Sequence, residues 1–268
     1  MAQYLGHWIY GVRGDFMKIL LRIAFLGTNY CGYQVQPNGI SVQEKLNEAT
    51  KELFGYDCDI VGCSRTDSGV HANDFCVTVT KRNESYLDTN IPVDKIAQAL
   101  SVRLPEDISV LSAQKVDESF HPRYDVKYKE YVYKIWNRPY RDPFLAGRTW
   151  HCPKPISEKG LEDMKIAALK LVGTHDFVSY MAADSKIKDT VRTVYCSQIT
   201  EENGLITFTV SANGFLYNMV RIFVGTLIDV GYGKITPDDI ERITESRDRR
   251  TAGSTARPEG LFLNRVVY

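Results

Sequence analysis

Residues 64–72 read Ser64-Arg65-Thr66-Asp67-Ser68-Gly69-Val70-His71-Ala72, and Asp74-Phe75-Cys76-Val77-Thr78-Val79-Thr80 follows close behind. The second stretch alternates apolar and polar residues, which predicts a half-buried strand. The first is small and polar, so it predicts a loop that feeds this strand and presents one acid, Asp67, at its edge. Loops carried on rigid elements are common places for chemistry. Arg65, two residues earlier, would favour the charged carboxylate and fix its direction. A carboxylate so oriented can act as a nucleophile or as a general base. The plainer reading of the same residues is a surface turn, because Asp before Ser-Gly is ordinary turn chemistry.

Upstream, Lys18–Phe25 is strand-like, and Gly27–Gly39 is a loop rich in Gly, Asn and aromatics. Ser41-Val42-Gln43-Glu44 has the spacing of a capping box, and Val42, Leu46, Ala49 and Leu53 share one helical face closed by Gly55. Downstream, Pro92 opens a helix carrying Ile96, Ala97, Leu100 and Leu104, which Pro105 ends, and Ile108–Val116 returns as a strand.

The second half repeats the scheme. Tyr128–Trp136 is a strand, and Ser157 starts a helix with Leu161, Met164, Ala168 and Leu171, ended by Gly173. Ile206–Ser211 alternates as a strand does, and Leu216, Met219, Val220, Phe223, Val224, Leu227 and Ile228 form an apolar helical stripe with Arg221 on its flank. Thr236-Pro237 starts a last helix, and Leu261–Tyr268 is a closing strand. The pattern predicts an α+β fold: two similar domains, each a mainly antiparallel sheet with helices on one face, and an active-site cleft between them. The expected boundaries are an N-terminal extension at 1–16, an N-terminal domain at 17–118 carrying Asp67, and a C-terminal domain at 119–268. Met17, directly before the first strand, is the expected natural start.

The 268 residues balance 33 basic against 33 acidic, so net charge alone gives no support to nucleic-acid binding. Distribution gives more. Arg123, Lys127, Lys129, Lys134, Arg138, Arg141, Arg148 and Lys154 face only three acids between residues 121 and 154. Such a stripe is a candidate phosphate-facing surface, or simply a solvated face. The six cysteines, at 31, 58, 63, 76, 152 and 196, include no Cys-x-x-Cys pair, and His151-Cys152 lacks partners at zinc-ligand spacing. Free thiols fit better than disulfides. No metal cluster, Walker-type loop or dinucleotide fingerprint is present, so no cofactor is expected. No apolar run reaches membrane-spanning length, and the first sixteen residues lack the features of a signal peptide. A cytoplasmic protein is expected.

The stretch at 64–72 resembles the Gly-Arg-Thr-Asp-x-Gly-Val-His-Ala signature of the TruA-type tRNA pseudouridine synthases, with Ser64 in place of the first Gly. Gly27–Gln34 resembles the family's Asp-Gly-x-x-Phe-x-Gly-Trp-Gln, with Leu26 for the Asp and Tyr33 for the Trp. Ser41-Val42-Gln43, Leu104–Ile108, Phe120–Tyr124, Gly173–Phe177, Thr190–Val194 and Gly214–Arg221 match further blocks in order, with Gly225-Thr226-Leu227 after the last of these. The block at 252–261 departs at Ser254 and Arg257, where the family has prolines. The changes at Leu26, Tyr33, Ser64, Asp74 and Arg257 suggest a divergent branch.

The resemblance implies that Asp67 is the catalytic carboxylate, that Tyr131 stacks on a flipped uracil, and that Arg221 lies beside Asp67. Arg65 and His71 would flank the pocket or touch phosphate. It further implies a homodimer that isomerises uridine at positions 38, 39 and 40 of the tRNA anticodon stem-loop, or else a relative acting on other RNA positions. From the residues alone, Tyr131 reads equally as a core tyrosine, Arg221 as an exposed helix arginine and His71 as a satisfied structural histidine. Two other classes stay open: an RNA-binding module without catalysis, and an aspartate-nucleophile phosphate hydrolase. The second normally wants Mg²⁺ held by further carboxylates, and Asp74 is the only second acid near Asp67 in sequence.

Overall fold

The computed structural model describes residues 15–183 and 187–268. The extension read at 1–16 therefore lies outside the described residues, apart from Asp15 and Phe16. These two continue the first strand, β1 (Asp15–Phe25), pairing with Thr89 and Asp88. The strand thus begins three residues before Lys18.

Helix α1 (Val42–Phe54) starts as its sequence predicts. Ser41 accepts a hydrogen bond from the Glu44 amide at 3.2 Å, and the Glu44 carboxylate reaches back to the Ser41 amide at 3.3 Å. Gly55 closes it in the left-handed region. Strand β2 (Cys58–Gly62) then pairs with β3 (His71–Lys81), which pairs on its other side with β1. Alternation in β3 does not mark a wet face: Phe75 to Thr80 are all buried. With neighbours on both sides and packing on both faces, Thr78 and Thr80 sit in the interior as β-branched residues whose hydroxyls cost little to bury when bonded.

A short β4 (Leu87–Thr89) precedes α2 (Val93–Ser101), and β5 (Ile108–Val116) returns alongside β1. Helix α2 stops at Ser101, short of the expected Leu104. The chain turns there because Ser101 Oγ binds the Val110 amide at 3.0 Å, fastening the helix end to β5.

The second half comprises β6 (Tyr128–Trp136), β7 (Trp150–His151), α3 (Glu158–Leu169), β8 (Gly173–Asp176), β9 (Val191–Glu202), β10 (Leu205–Ala212), α4 (Met219–Gly231), α5 (Asp239–Ser246) and β11 (Leu261–Val267). Helix α4 differs from its reading. Leu216 precedes it, and it is buried nearly all round rather than along one stripe. Its close packing needs a glycine: a Cβ at Gly225 would sit 1.7 Å from the Ser254 carbonyl oxygen.

The fold is α+β and mostly antiparallel, as expected. One sheet runs β4-β1-β3-β11-β6-β10-β9-β8 through both halves, with β5 and β2 added on β1 and β3, and β7 on β6. The join is the parallel pairing of β3 with β11, Phe262 opposite His71 and Leu263 opposite Ala72. Across β11, Leu263 also faces Tyr131 of β6. Ala72, Leu263 and Tyr131 thus form one row, and the loop before β3 opens where the halves meet. All six cysteines are free thiols. Among the described residues no helix is long and apolar enough to cross a membrane.

Candidate active site

Residues 67–70 form a tight turn closed by the backbone, with the Val70 amide donating to the Asp67 carbonyl at 3.2 Å. Gly69, at φ 79°, takes the left-handed third position that this kind of turn requires. The turn read from the sequence is real, and it does not consume the carboxylate. Further bonds hold it from outside. The Gly69 amide and the Ser68 hydroxyl both donate to the Tyr30 carbonyl, at 3.3 and 3.2 Å, and the Tyr33 amide donates to the Thr66 carbonyl at 3.3 Å.

The partner of Asp67 is Arg221, not Arg65. Arg221 Nη1 donates to Asp67 Oδ2 at 2.9 Å and to Asn218 Oδ1 at 2.7 Å, while its Nε donates to the Ala256 carbonyl at 2.8 Å. In return the Ala256 amide donates to the Arg221 carbonyl at 3.1 Å. The guanidinium is therefore held from three directions and aims one N–H at the carboxylate. Because α4 is buried on nearly every side, Arg221 is not an exposed flank residue: its side chain is 15% exposed, that of Asp67 29%. Arg65 is exposed on the wall of the same cavity and contacts no acid among the described residues.

The cavity has a volume of about 1240 Å³ and lies between the halves. Asp67 is the one acid among its described lining residues, which include four cations: Arg65, Arg123, Lys129 and Arg221. Tyr131 lines it from β6, packed edge-to-face on Phe215 with ring centroids 4.9 Å apart. Burial raises the pKa of the Tyr131 phenol well above the ordinary tyrosine range, and Ser64, where the resembling family has glycine, lines the same cavity. Asp74 lies elsewhere, paired with Arg22 and accepting from the Val266 amide. Among the described residues the wall therefore offers no second carboxylate of the kind a Mg²⁺-dependent hydrolase would need.

His71 is not at the cavity wall. It is fully buried, its Nδ1 accepts from the Gly27 amide at 2.9 Å, and its Nε2 donates to the Glu259 carbonyl at 3.1 Å. Its ring packs against Phe262, 4.5 Å away. Both nitrogens are used in tying the join of the two halves, so the structural alternative is the one found. Burial lowers its pKa from the ordinary 6.5. Between that lowered value and 6.5 the unfolded chain binds a proton that the folded chain does not. Stability should therefore fall as pH drops below about 6.5, with a slope of up to about 1.4 kcal/mol per pH unit from this group. Urea unfolding from pH 7 to pH 5 checks this, and His71→Asn should flatten the slope.

The basic stripe is not one surface. Side chains alternate along β6, so Lys129 shares a face with Tyr131 while Lys134 points to the other, over the Phe262 ring at 4.7 Å. Lys154 packs over Tyr232 at 5.2 Å, and Arg148 donates to the Phe144 carbonyl. Only Arg123 and Lys129 of the eight line the cavity. Phe215 and Asn218 were not singled out from the sequence; their nearness to Arg221 in the matching block was the available signal.

A carboxylate aimed by an arginine, beside an aromatic ring and in a groove with a surplus of cations, is the equipment of a protein that handles nucleic acid. Comparison with known proteins agrees. A family model described as tRNA pseudouridine synthase matches residues 22–125 and 167–268. Proteins named tRNA pseudouridine synthase A are 44% identical in a Thermoanaerobacter species and 41% identical in Acetivibrio thermocellus, each over 94% of this chain and 99% of the relative. Another, from an Exiguobacterium species, is 40% identical over 94% of this chain and 98% of its own. Among solved structures, a Cbf5-Nop10-Gar1 complex aligns with 91% of this chain and 48% of that chain at 14% identity and a TM-score of 0.36, too weak a likeness to bear on the fold. The chain belongs to the tRNA pseudouridine synthase family, whose members are isomerases.

Proposed function

We propose that this protein isomerises uridine to pseudouridine in tRNA, at positions 38, 39 and 40 of the anticodon stem-loop, with Asp67 as the carboxylate that starts the reaction. The glycosidic bond from N1 to C1′ breaks, the uracil turns, and C5 bonds to C1′; one proton leaves C5 and one arrives at N1. Substrate and product are isomers, so no activated donor or redox partner enters the balance. The observation that carries the reading is the pairing of Asp67 with Arg221 on the wall of a cavity that Tyr131 also lines.

The carboxylate either attacks the base or C1′, or removes a sugar proton. Each path needs an oxygen at the cavity surface, and Asp67, unlike the acid in a closed ion pair, keeps part of its side chain exposed. Tyr131 presents a flat, protonated phenol as the stacking surface for a uracil rotated out of its helix. Leaving the stack costs a few kcal/mol, least for bases near a loop, which favours an anticodon-arm target. Reading shape and phosphates rather than base edges would let one enzyme serve neighbouring positions in several tRNAs. A cytoplasmic location fits work on tRNA.

The test is incubation of the purified protein with unmodified tRNA, without metal or cofactor, followed by pseudouridine mapping. New pseudouridine at 38–40 is expected. Product elsewhere only, as in another tRNA arm or in ribosomal RNA, would keep the chemistry and remove this target; no product would remove both. A homodimer is the proposed working form, with one tRNA spanning two subunits. Light scattering at micromolar concentration should give twice the 30.4 kDa chain mass; a fully active monomer would refute the dimer.

A further inference from the structure

Arg221 has its acid. The other cations of the cavity have none among the described residues. Lys129 projects from β6 on the Tyr131 face and gives one of its three N–H donors to the Cys63 carbonyl at 2.6 Å, directly before the Asp67 loop. Arg123 stands on the turn that leads into β6. That turn is rigid: the Tyr124 and Asp125 amides donate to the His121 carbonyl at 3.2 and 3.1 Å, the His121 amide donates to Asp125 Oδ2 at 2.8 Å, and Tyr268 donates to the Pro122 carbonyl at 2.8 Å. Both side chains line the cavity, and neither pairs with a carboxylate among the described residues.

Both charges face the same cavity. The Arg123 charge and, above all, burial lower the pKa of the Lys129 ammonium from its ordinary value. Two like charges held together on fixed elements, one of them half-buried and with donors to spare, cost free energy in the empty protein that an anion between them would offset. The remaining stripe cations do not line the cavity, and Lys134 and Lys154 are packed on aromatic rings.

We propose that Arg123 and Lys129 form a clamp for a single phosphodiester of the RNA backbone, adjacent to the nucleotide whose base enters between Asp67 and Tyr131. This rests on the uridine-isomerising reading above and adds where the backbone is gripped. Because Lys129 also bonds the residue preceding Ser64, holding that phosphate and holding the Asp67 loop are mechanically one event. The clamp positions the nucleotide and does no chemistry itself.

The experiment is a set of cycles between protein and RNA. Anticodon-arm RNAs carrying one neutral methylphosphonate at successive linkages around the target uridine are assayed with wild type, Arg123→Gln, Lys129→Gln and Lys129→Arg, for both kcat/KM and equilibrium binding. At one linkage, neutralisation should cost wild type roughly tenfold, while costing either Gln variant little more than it has already lost. Lys129→Arg should behave like wild type, because an arginine keeps the charge. The double Gln variant should lower the salt slope of binding by about 0.7, the value for one phosphate on a single strand, whereas Lys134→Ala should leave it unchanged. Losses that add at every linkage would overturn the clamp. If Lys129→Gln melts early, the exposed Arg123→Gln decides alone. Coupling in binding without any pseudouridine would sink the isomerase reading and leave the clamp standing; pseudouridine without coupling would do the reverse.

Discussion

Asp67→Asn should abolish pseudouridine formation, lowering turnover by at least about a thousandfold, since it removes the only acid among the described residues of the cavity wall while keeping the shape of the side chain. The neutral amide can still accept from Arg221 Nη1 through its oxygen, so the loop should stay in place. Unfolding measured by circular dichroism should shift by no more than about 1 kcal/mol, the net worth of one hydrogen bond in a half-exposed pair. RNA binding should change by less than about threefold, because phosphate contacts carry most of the affinity. Appreciable pseudouridine from this variant would remove Asp67 from the chemistry. Loss of wild-type activity in EDTA would be equally damaging, because the mechanism routes no step through a metal.

The second large effect belongs to Arg221. It bridges Asp67, Asn218 and the Ala256 carbonyl, so it joins the loop before β3, the start of α4 and the segment before β11. A lysine has no planar fork with which to reach all three. Arg221→Lys should therefore lower kcat by roughly a hundredfold or more, the usual penalty for a reacting group displaced by about an ångström. Arg221→Met should cost turnover similarly and also about 1–3 kcal/mol of stability, because the Ala256 carbonyl is left without its side-chain donor. Enzyme assay together with thermal melting separates the two parts. A variant that lost stability but kept its turnover would make Arg221 a structural bridge only.

The locally coded parts of the fold were readable. Ser41 and Glu44 name a helix start by chemistry that acts over four residues, and the strands Ile108–Val116 and Tyr128–Trp136 carry apolar patterns dense enough to mark their ends. Strands β2, β4, β7, β8 and β9 were missed. Several are short, and their pairing is made by partners distant in the chain rather than by their own periodicity. Helix α4 was misjudged for a related reason: the chain at 252–256 covers the side that its stripe left open.

Candidate site residues divide in the same way. That Asp67 would sit on a turn before a strand was written in Thr66-Asp67-Ser68-Gly69, because turn geometry is a local property. Which cation faces it was not a local matter, and only the family resemblance pointed to Arg221. Arg65 is near in sequence, but it is exposed and makes no ion pair with the carboxylate. Arg221 is 154 residues off, yet adjacent, because β3 joins β11 and the segment leading to β11 grips α4. Likewise a histidine four residues after the acid reads as a site residue until Gly27 and Glu259 take both its nitrogens. By itself the sequence determined the α+β pattern, the turn that presents the acid and the free thiols. Tertiary structure alone decided the burial of His71 and which two of eight stripe cations reach the cavity. Those outcomes depend on register across a sheet assembled from both ends of the chain, and local sequence carries no record of that register.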